Sequence, residues 1–309
     1  MTYKNKVIFL VCVIALLAIA YTASHVFDIE RVNARSAMFS WLDAKAASLV
    51  SGIVIEDFSR KVELIKRDGA WFALVSGNIY PARQKRVDDF IAIFAEKAAW
   101  PVRSSSAESR ERLGLNRETA SRITFYGEND VLLDVLSARN EAPGRETFLR
   151  KYDGVEARSG GGDLSQYIDG SVNYWLNLAL IPESVNGQPR FDSAQRLSVF
   201  HDGKSRIISR ENGEWIVSGA DAENQDQYSA ENYVRTILSL EGDSFADPAS
   251  ANNMAFNDSR IVIEFGNGDV VTIRFGAENE TGGCLARVGN GDYVYSISAW
   301  VRARIFDSF

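Results

Sequence analysis

An internal duplication constrains what this chain of 309 residues can fold into. Residues 53–75 contain two β-rich segments separated by a turn, and a third segment that begins at Asp68-Gly69 and contains Trp71. Residues 196–218 repeat this order and contain Trp215 at the equivalent place. Because each copy of such a repeat needs a hydrophobic core, the sequence predicts two related domains.

Two-residue turn signals recur through both copies and predict antiparallel sheet. Such turns need positive φ, which Gly, Asn and Asp tolerate, and their twist matches that of paired strands. The dipeptides are Asp68-Gly69, Asp153-Gly154, Asp202-Gly203, Asn212-Gly213, Asn267-Gly268 and Asn290-Gly291. β-Branched and aromatic residues flank them, as expected for strands.

An amphipathic helix is predicted after the third strand of each copy. Apolar residues recur there at i, i+3, i+4 and i+7, which places them on one helix face: Val87, Phe90, Ile91 and Phe94, then Ala230, Tyr233, Val234 and Ile237. Pro81 suits the first turn of the first helix, and Ser229 is predicted to cap the second. Sheets with helices but without regular βαβ order indicate an α+β fold.

The N-terminus predicts a transmembrane helix. Val7 to Ala23 form a nearly continuous apolar run, which is the short end of what a membrane span needs. Lys4 and Lys6 precede this run, so the positive-inside rule places the N-terminus in the cytoplasm and the bulk of the chain across the membrane.

Two alternatives also export the body of the chain. Ala18-Ile19-Ala20 fits the small-x-small pattern before a signal-peptide cleavage site. A lipoprotein anchor at Cys12 is disfavoured because Val11 stands where a small residue is wanted.

The predicted chain therefore has four parts. They are a cytoplasmic tip with a transmembrane anchor (1–24), a juxtamembrane stem with helical spacing (25–48), a first α+β repeat (49–182) and a second α+β repeat (190–309). A composition of 46% hydrophobic and 24% charged residues is ordinary for globular domains, so each repeat can bury a core.

Charge and cysteine content exclude several classes of function. The net charge of −7 argues against nucleic-acid binding, which needs clustered Lys and Arg to neutralise phosphates. Cys12 and Cys284 are the two cysteines, too few for a disulfide framework or a cysteine-based zinc site.

Catalytic patterns are missing from the sequence. His25 and His201 are the two histidines. His201-Asp202 resembles a base with its orienting acid, but it also reads as a strand end before a hairpin turn. No Gly-x-Ser-x-Gly nucleophile motif accompanies it.

Metal and phosphate patterns are equally weak, and we predict no catalytic, cofactor-binding or metal site. Glu56-Asp57 are neighbours on a strand and face opposite sides, and Asp88-Asp89 suit the solvated face of a helix. Asp221 to Asp226 lack the glycine and glutamate of a calcium loop. Gly160-Gly161-Gly162 lack the Lys-Ser/Thr of a phosphate loop. Trp71 and Trp215 suit a core better than a ligand platform.

Several structural motifs together resemble a known bacterial family. They are Gly69-Ala70-Trp71, Tyr80-Pro81-Ala82, Val87 with Phe90 and Ile91, Leu113-Gly114-Leu115, Arg122-Ile123-Thr124-Phe125, Phe148-Leu149-Arg150 and Tyr167-Ile168. The chain resembles two tandem copies of a domain-of-unknown-function family found beside gliding-motility-type (Gld) ABC transporter subunits. The second copy departs from it, with Met254-Ala255-Phe256 in place of Leu-Gly-Leu.

The resemblance implies a context and carries over no catalytic residue. That context is the bacterial cytoplasmic membrane, with an ABC transporter permease and other envelope subunits as partners. The leading hypothesis is thus a non-enzymatic, single-pass accessory or scaffold protein that binds proteins through its exported repeats. The alternative is an envelope module that binds a glycan, peptide or lipid, and a third hypothesis is an enzyme whose carboxylates converge in a cleft.

Overall fold

The computed structural model describes residues 13–19, 21, 38–139, 146–160, 164–169, 171–185, 187–218 and 227–307. The chain divides into two compact units, Met1–Trp175 and Leu176–Phe309. Each unit contains one large sheet in which every neighbouring pair of strands is antiparallel. The prediction of an α+β fold with two antiparallel sheets is confirmed.

The first unit alternates runs of strands with short helices. In chain order its described elements are β1 (Met38–Phe39), α1 (Ala44–Ser48), β2 (Gly52–Glu56), β3 (Lys61–Arg67), β4 (Ala70–Val75), β5 (Asn78–Pro81), α2 (Gln84–Ala95), β6 (Ala98–Ala99), β7 (Val102–Ser104), α3 (Ala107–Arg112), β8 (Ser121–Tyr126), β9 (Val131–Arg139), β10 (Thr147–Lys151), β11 (Ala157–Gly160), α4 (Leu164–Asp169) and α5 (Val172–Trp175).

The second unit follows a similar order. Its described elements are β12 (Ser184–Val185), β13 (Gln188–Pro189), α6 (Arg190–Ser193), β14 (Ala194–His201), β15 (Lys204–Glu211), β16 (Glu214–Ser218), α7 (Gln227–Leu238), β17 (Ser244–Phe245), α8 (Pro248–Asn252), β18 (Phe256–Phe265), β19 (Val270–Gly276), β20 (Cys284–Val288), β21 (Val294–Ile297) and α9 (Ala299–Phe306).

The duplication extends across the whole of both sheets. The strand order is β5-β4-β3-β2-β8-β9-β10-β11-β7 in the first unit and β16-β15-β14-β18-β19-β20-β21-β17 in the second. Apart from the added edge strand β5, the two orders correspond strand for strand. The registers correspond too, because Ile53 pairs with Leu64 and Phe125 just as Leu197 pairs with Ile208 and Ile263.

Type I′-like turns and a shared core explain why both copies fold alike. Asp68 and Gly69 have φ of 50° and 81°, and Asn212 and Gly213 have φ of 51° and 89°, as tight hairpins require. Trp71 is 1% exposed and its Nε1 donates to Asp88 Oδ1 at 3.2 Å. Trp215 is also buried, within the second core. The two tryptophans are therefore core residues and do not form an exposed platform.

Aromatic rings dominate the contact between α2 and the first sheet. The ring of Phe90 lies 5.6 Å from that of Phe125 and 5.1 Å from that of Tyr167, and it meets the ring of Trp175 edge-on at 5.3 Å. Such pairs add to the stabilisation that apolar burial provides. The predicted apolar stripe of this helix thus faces the sheet, with Val87, Phe90 and Phe94 buried.

The segment around Pro81 differs from the prediction. Pro81 ends the edge strand β5, which pairs with β4, and the helix begins only at Gln84. Pro lacks an N–H to donate, so it suits a sheet edge. The turn into β5 is Ser76-Gly77, with φ of 50° and 82°. Ser-Gly is not among the turn dipeptides predicted above.

The side chain of Gln84 completes the edge of the first sheet beside β4. Its Oε1 accepts from the backbone N–H of Trp71 at 2.6 Å, and its Nε2 donates to the carbonyl of Trp71 at 2.9 Å. One amide side chain thus satisfies both backbone groups of one strand residue, as a neighbouring strand would.

Two predicted boundaries need correction in the second unit. Residues 176–182 were assigned to the first repeat, but Leu180 and Ile181 lie in the second core, and the Leu180 N–H donates to the Leu240 carbonyl at 3.0 Å. Ser229, predicted as a helix cap, lies inside α7, which begins at Gln227. Local sequence signals do not reveal the first boundary, because the contact of Leu180 with Leu240 joins residues far apart in the chain.

The prediction of an N-terminal transmembrane helix is wrong. Among the described residues, no helix is long and apolar enough to cross a membrane. Helical residues described near the N-terminus are 13–19 and 21, whereas a span of about 30 Å needs about 20 residues. An apolar run sets the hydropathy of a segment but not the length of its helix. The rest of Val7–Ala23 lies outside the described residues.

The predicted stem (25–48) is corrected in part where the structure describes it, because only its last residues, Ala44–Ser48, are helical. Met38–Phe39 form a strand that pairs with Ala98–Ala99. Leu42 is buried, and its N–H donates to the carbonyl of Phe94. This part of the stem therefore belongs to the first unit. Residues 25–37 lie outside the described residues.

We expect Gly160→Ala to destabilise the first unit. A Cβ at this position would overlap the ring of Trp100, which is itself buried. Overpacking of this kind costs about 1–3 kcal/mol of unfolding free energy. Urea denaturation followed by circular dichroism measures the loss.

Gly52→Ala is the matched control. A Cβ there meets its nearest neighbour, the Tyr126 Cβ, at 3.6 Å, which is an ordinary contact. This variant should match or slightly exceed the stability of the wild type. Equal stability of Gly160→Ala and Gly52→Ala would contradict the steric account.

Candidate functional site

His201 lies beside a serine, as a catalytic base lies beside its nucleophile. Its Nδ1 and the Oγ of Ser259 are 2.8 Å apart, and its Nε2 lies 3.4 Å from Oδ2 of Asp202. The ring of Phe306 stacks on the imidazole with 4.2 Å between centroids. Histidine, serine and aspartate thus meet, as the sequence suggested for two of them.

This geometry does not support acyl transfer. Ser259 lies on β18, which pairs with β14, and its buried hydroxyl meets the imidazole there, whereas a nucleophile must face a cleft that admits the scissile carbonyl. Asp202 occupies a hairpin turn with φ of 49° and is largely exposed, so it orients the imidazole weakly. The contact acts as a buried polar interaction between β14 and β18.

The acidic residues considered in the sequence analysis have structural partners. Asp57 accepts hydrogen bonds from the Ser59 N–H and from Arg60 Nε, at 2.7 and 2.8 Å. Asp89 pairs with Lys85 at 2.8 Å. Glu56 lies 3.8 Å from Arg122. Within the described part of the chain, no group of three or more His, Cys, Asp or Glu is placed to hold a metal ion.

The remaining candidates give no site either. Burial raises the pKa of the Cys284 thiol to about 11, so this cysteine is unreactive near neutral pH. Gly160 ends β11 against Trp100 and forms no phosphate loop. His25, Cys12, Gly161-Gly162 and Asp221 to Asp226 lie outside the described residues.

A cavity of about 240 Å³ in the first unit is the strongest candidate site. Small and hydroxyl-bearing residues line it: Gly114, Thr119, Ser121, Ser137, Ala138, Thr147, Ser165 and Ile168. We call this space the hydroxyl cavity. Ser137, Thr147 and Ile168 are buried and form its floor, whereas Thr119 is exposed at its rim. The cavity is thus open to solvent at one side.

Strand geometry explains why the hydroxyls converge. Ser121 on β8 pairs directly with Ser137 on β9, and Ser137 pairs in turn with Leu149 on β10. Directly paired residues point to the same face of a sheet, and alternate residues along a strand share that face. Thr147 lies two residues before Leu149, so its side chain joins the two serines on one face.

Thr147 is the unusual member of the lining. It is 1% exposed, and its Oγ1 has no hydrogen-bond partner among the described residues. A buried hydroxyl without a partner costs about 1–3 kcal/mol of stability. Other buried side-chain nitrogens of the described residues, such as Trp175 Nε1 and Trp215 Nε1, also lack a partner, and Thr147 is the one of these three residues that lines the cavity.

In the second unit, the positions that correspond to the cavity floor carry apolar side chains. Ala286 on β20 pairs with Phe275 just as Leu149 pairs with Ser137, so Phe275 corresponds to Ser137. Counting two residues back along each strand, Cys284 corresponds to Thr147. Phe275 is buried and meets the ring of Phe306 edge-on at 5.1 Å. Apolar side chains therefore occupy the place that is open in the first unit.

Sequence reasoning missed this cavity. The sequence signal was a polar residue at a core position, since Leu133, Val135 and Ser137 alternate on the face that β9 buries. Aligning the two copies by strand register would have placed Ser137 against Phe275. That register comes from the folded sheet, because the two copies differ in the lengths of their connections.

A comparison with known protein families, curated proteins and solved structures finds no match to this chain. The resemblance to a family beside gliding-motility-type ABC transporter subunits stays a prediction.

We expect Asp57 to make the stability of the first unit depend on acid pH. Burial alone would raise the pKa of this carboxyl, but the hydrogen bonds from Ser59 and Arg60 outweigh it and lower the pKa from 3.8 to about 2. The folded state therefore holds fewer protons than the unfolded state in this range. The stabilisation is present above pH 3.8 and is lost as pH falls towards 2.

Asp57→Asn should lower the free energy of unfolding at pH 7 and reduce its further decrease between pH 3.8 and 2. Urea denaturation between pH 2 and 7 measures both effects. Asp89→Asn is the control, because its exposed ion pair with Lys85 contributes at most about 1 kcal/mol. If Asp57→Asn loses as much stability between pH 3.8 and 2 as the wild type does, the Asp57 carboxylate is not the cause of that loss.

Proposed function

We propose that this chain is a non-enzymatic binding protein whose first unit holds a small ligand in the hydroxyl cavity. One observation carries the proposal. The two units share strand order and register, but Ser137 and Thr147 replace Phe275 and Cys284 where the second unit is filled.

The open cavity opposes stability, which favours a functional explanation for it. A small side chain in place of a buried aromatic ring buries less apolar surface and leaves a cavity. Truncation of a buried Phe to Ala lowers the free energy of unfolding by about 3–5 kcal/mol. The unpaired Thr147 hydroxyl adds to that cost. Residues that lower the stability of the fold in this way are expected at functional sites.

Binding suits the lining better than catalysis does. Among the described lining residues, none is a His, Cys, Asp, Glu, Lys, Arg or Tyr. A serine or threonine hydroxyl needs an adjacent base to act as a nucleophile, and general acid–base catalysis needs a group that titrates near the working pH. Neutral hydroxyls instead form hydrogen bonds that position a ligand.

The association with an ABC transporter permease and other envelope subunits rests on the resemblance alone and stays a prediction. Co-purification from cells in mild detergent tests it, with partner identification by mass spectrometry. Recovery of transporter subunits supports this context. Recovery of the chain alone would count against the context but would leave ligand binding unaffected.

We expect Ser137→Phe to abolish ligand binding, because it copies the residue that fills the second unit. The measurement is the melting temperature of the full chain against a panel of small metabolites. A ligand at about 100 times its Kd stabilises the folded state by about 2.7 kcal/mol. The melting temperature of wild type should therefore rise with at least one compound, and that of Ser137→Phe should not.

Thr124→Val is the matched control for this experiment. Thr124 is a buried threonine on β8 whose hydroxyl donates to Asp134, away from the cavity lining. The variant should keep the thermal shift of the wild type. An equal shift in Ser137→Phe would place the binding site elsewhere, and no shift with any compound would contradict the proposal.

A further inference from the structure

The side chains that line the hydroxyl cavity also restrict the chemistry of its ligand. Five of the eight carry a hydroxyl: Thr119, Ser121, Ser137, Thr147 and Ser165. A hydroxyl both donates and accepts hydrogen bonds and rotates to suit its partner. A ligand that matches such a lining offers several donors and acceptors spread over its surface.

Charged ligands do not fit this lining. Among the described residues that line the cavity, none is charged, and an ion held there would lack a counter-charge. Burying an ion without such a partner is costly. Two described charged residues near Thr147 in sequence already have partners, since Glu146 pairs with Arg103 at 2.8 Å and Arg150 donates to backbone carbonyls.

Apolar ligands fit poorly for the opposite reason. Apolar contact comes mainly from Ala138 and Ile168. A hydrocarbon placed against the floor would leave Thr147 Oγ1 without a hydrogen bond and would also remove water from the hydroxyls above it. Ile168 is well suited to contact the C–H face of a ring whose edge carries hydroxyls.

The volume of the hydroxyl cavity further restricts the class of ligand. At roughly 30 Å³ for each water of liquid volume, 240 Å³ corresponds to about eight waters. This space is smaller than the 300–1,000 Å³ or so of pockets that hold drug-sized ligands. The part of a ligand that lies within the walls is therefore about one small ring with its substituents.

We propose that the ligand is an uncharged polyhydroxylated ring compound of monosaccharide size, with one of its hydroxyls bonded to Thr147 Oγ1. This inference rests on the proposed function, because it names the ligand class of the same cavity. Thr147 is the anchor of the complex, since it is the lining hydroxyl that is both fully buried and without a partner in the described structure.

The test measures binding of five probes to the full chain by ligand-observed NMR and titration calorimetry. D-Glucose and myo-inositol represent the proposed class. Gluconate is the anionic probe, glucosamine the cationic probe and cyclohexanol the apolar probe. We expect the neutral polyols to bind and the other three to bind at least tenfold more weakly.

Thr147→Val separates an anchor from a structural hydroxyl. Losing one neutral hydrogen bond should weaken polyol binding about threefold to tenfold. The melting temperature of the unliganded protein should stay equal or rise, because the replaced hydroxyl had no partner. A structural hydroxyl would instead lower that temperature. Thr147→Ser keeps the hydroxyl and should restore most of the affinity.

The outcomes distinguish this inference from the proposed function. Binding of a charged or apolar probe that Ser137→Phe abolishes, without polyol binding, would overturn the ligand class and keep the cavity as a binding site. Polyol binding that Thr147→Val leaves unchanged would overturn the anchor. If no probe and no panel metabolite binds in a way that Ser137→Phe removes, the cavity holds water only and both proposals fail.

Discussion

The pairing register of the central strands is the constraint on which the rest of each unit depends. Side chains alternate between the two faces of a strand, so a slip of one residue would turn every core side chain outward. Ile53 and Ile55 in the first unit, and Leu197 and Val199 in the second, hold their strands to one register through buried contacts. The place of every other strand follows from this pairing, including the strands that bring Ser137 and Thr147 to one face.

Much of the sheet could be predicted because its signals are local. Lys61–Arg67 and Ala70–Val75 carry alternating patterns around a turn that needs positive φ, and the structure has strands on both sides of this turn, as the sequence predicts. The edge strand Asn78–Pro81 escaped prediction because it is short and ends in a proline that also suits a helix start. The transmembrane prediction depends on hydropathy alone, and among the described residues no helix is long and apolar enough to cross a membrane.

The hydroxyl cavity could not be predicted, because a cavity is a relation between elements that are distant in sequence. Ser137 interrupts the apolar pattern of its own strand, but it lines a cavity only together with Thr147 and Ile168 from other elements. The duplication supplies the comparison that a single domain lacks. With the frame held constant by repeated turns and core residues, exchange of a few floor residues is enough to turn packed core into open space. A protein built this way can change its ligand with little effect on how it folds.

The amide of Gln84 has a consequence for how copies of this chain behave at high concentration. A sheet edge with free peptide groups recruits strands from other molecules and starts aggregation. At the first sheet, Pro81 withholds an N–H, and Gln84 occupies both backbone groups of Trp71 beside it. At the Pro81 end of this edge, few peptide groups are therefore left for an incoming strand. Edge-to-edge pairing between molecules is hindered at this end of the first sheet. At high concentration this favours dispersed molecules over fibrils that grow through that edge.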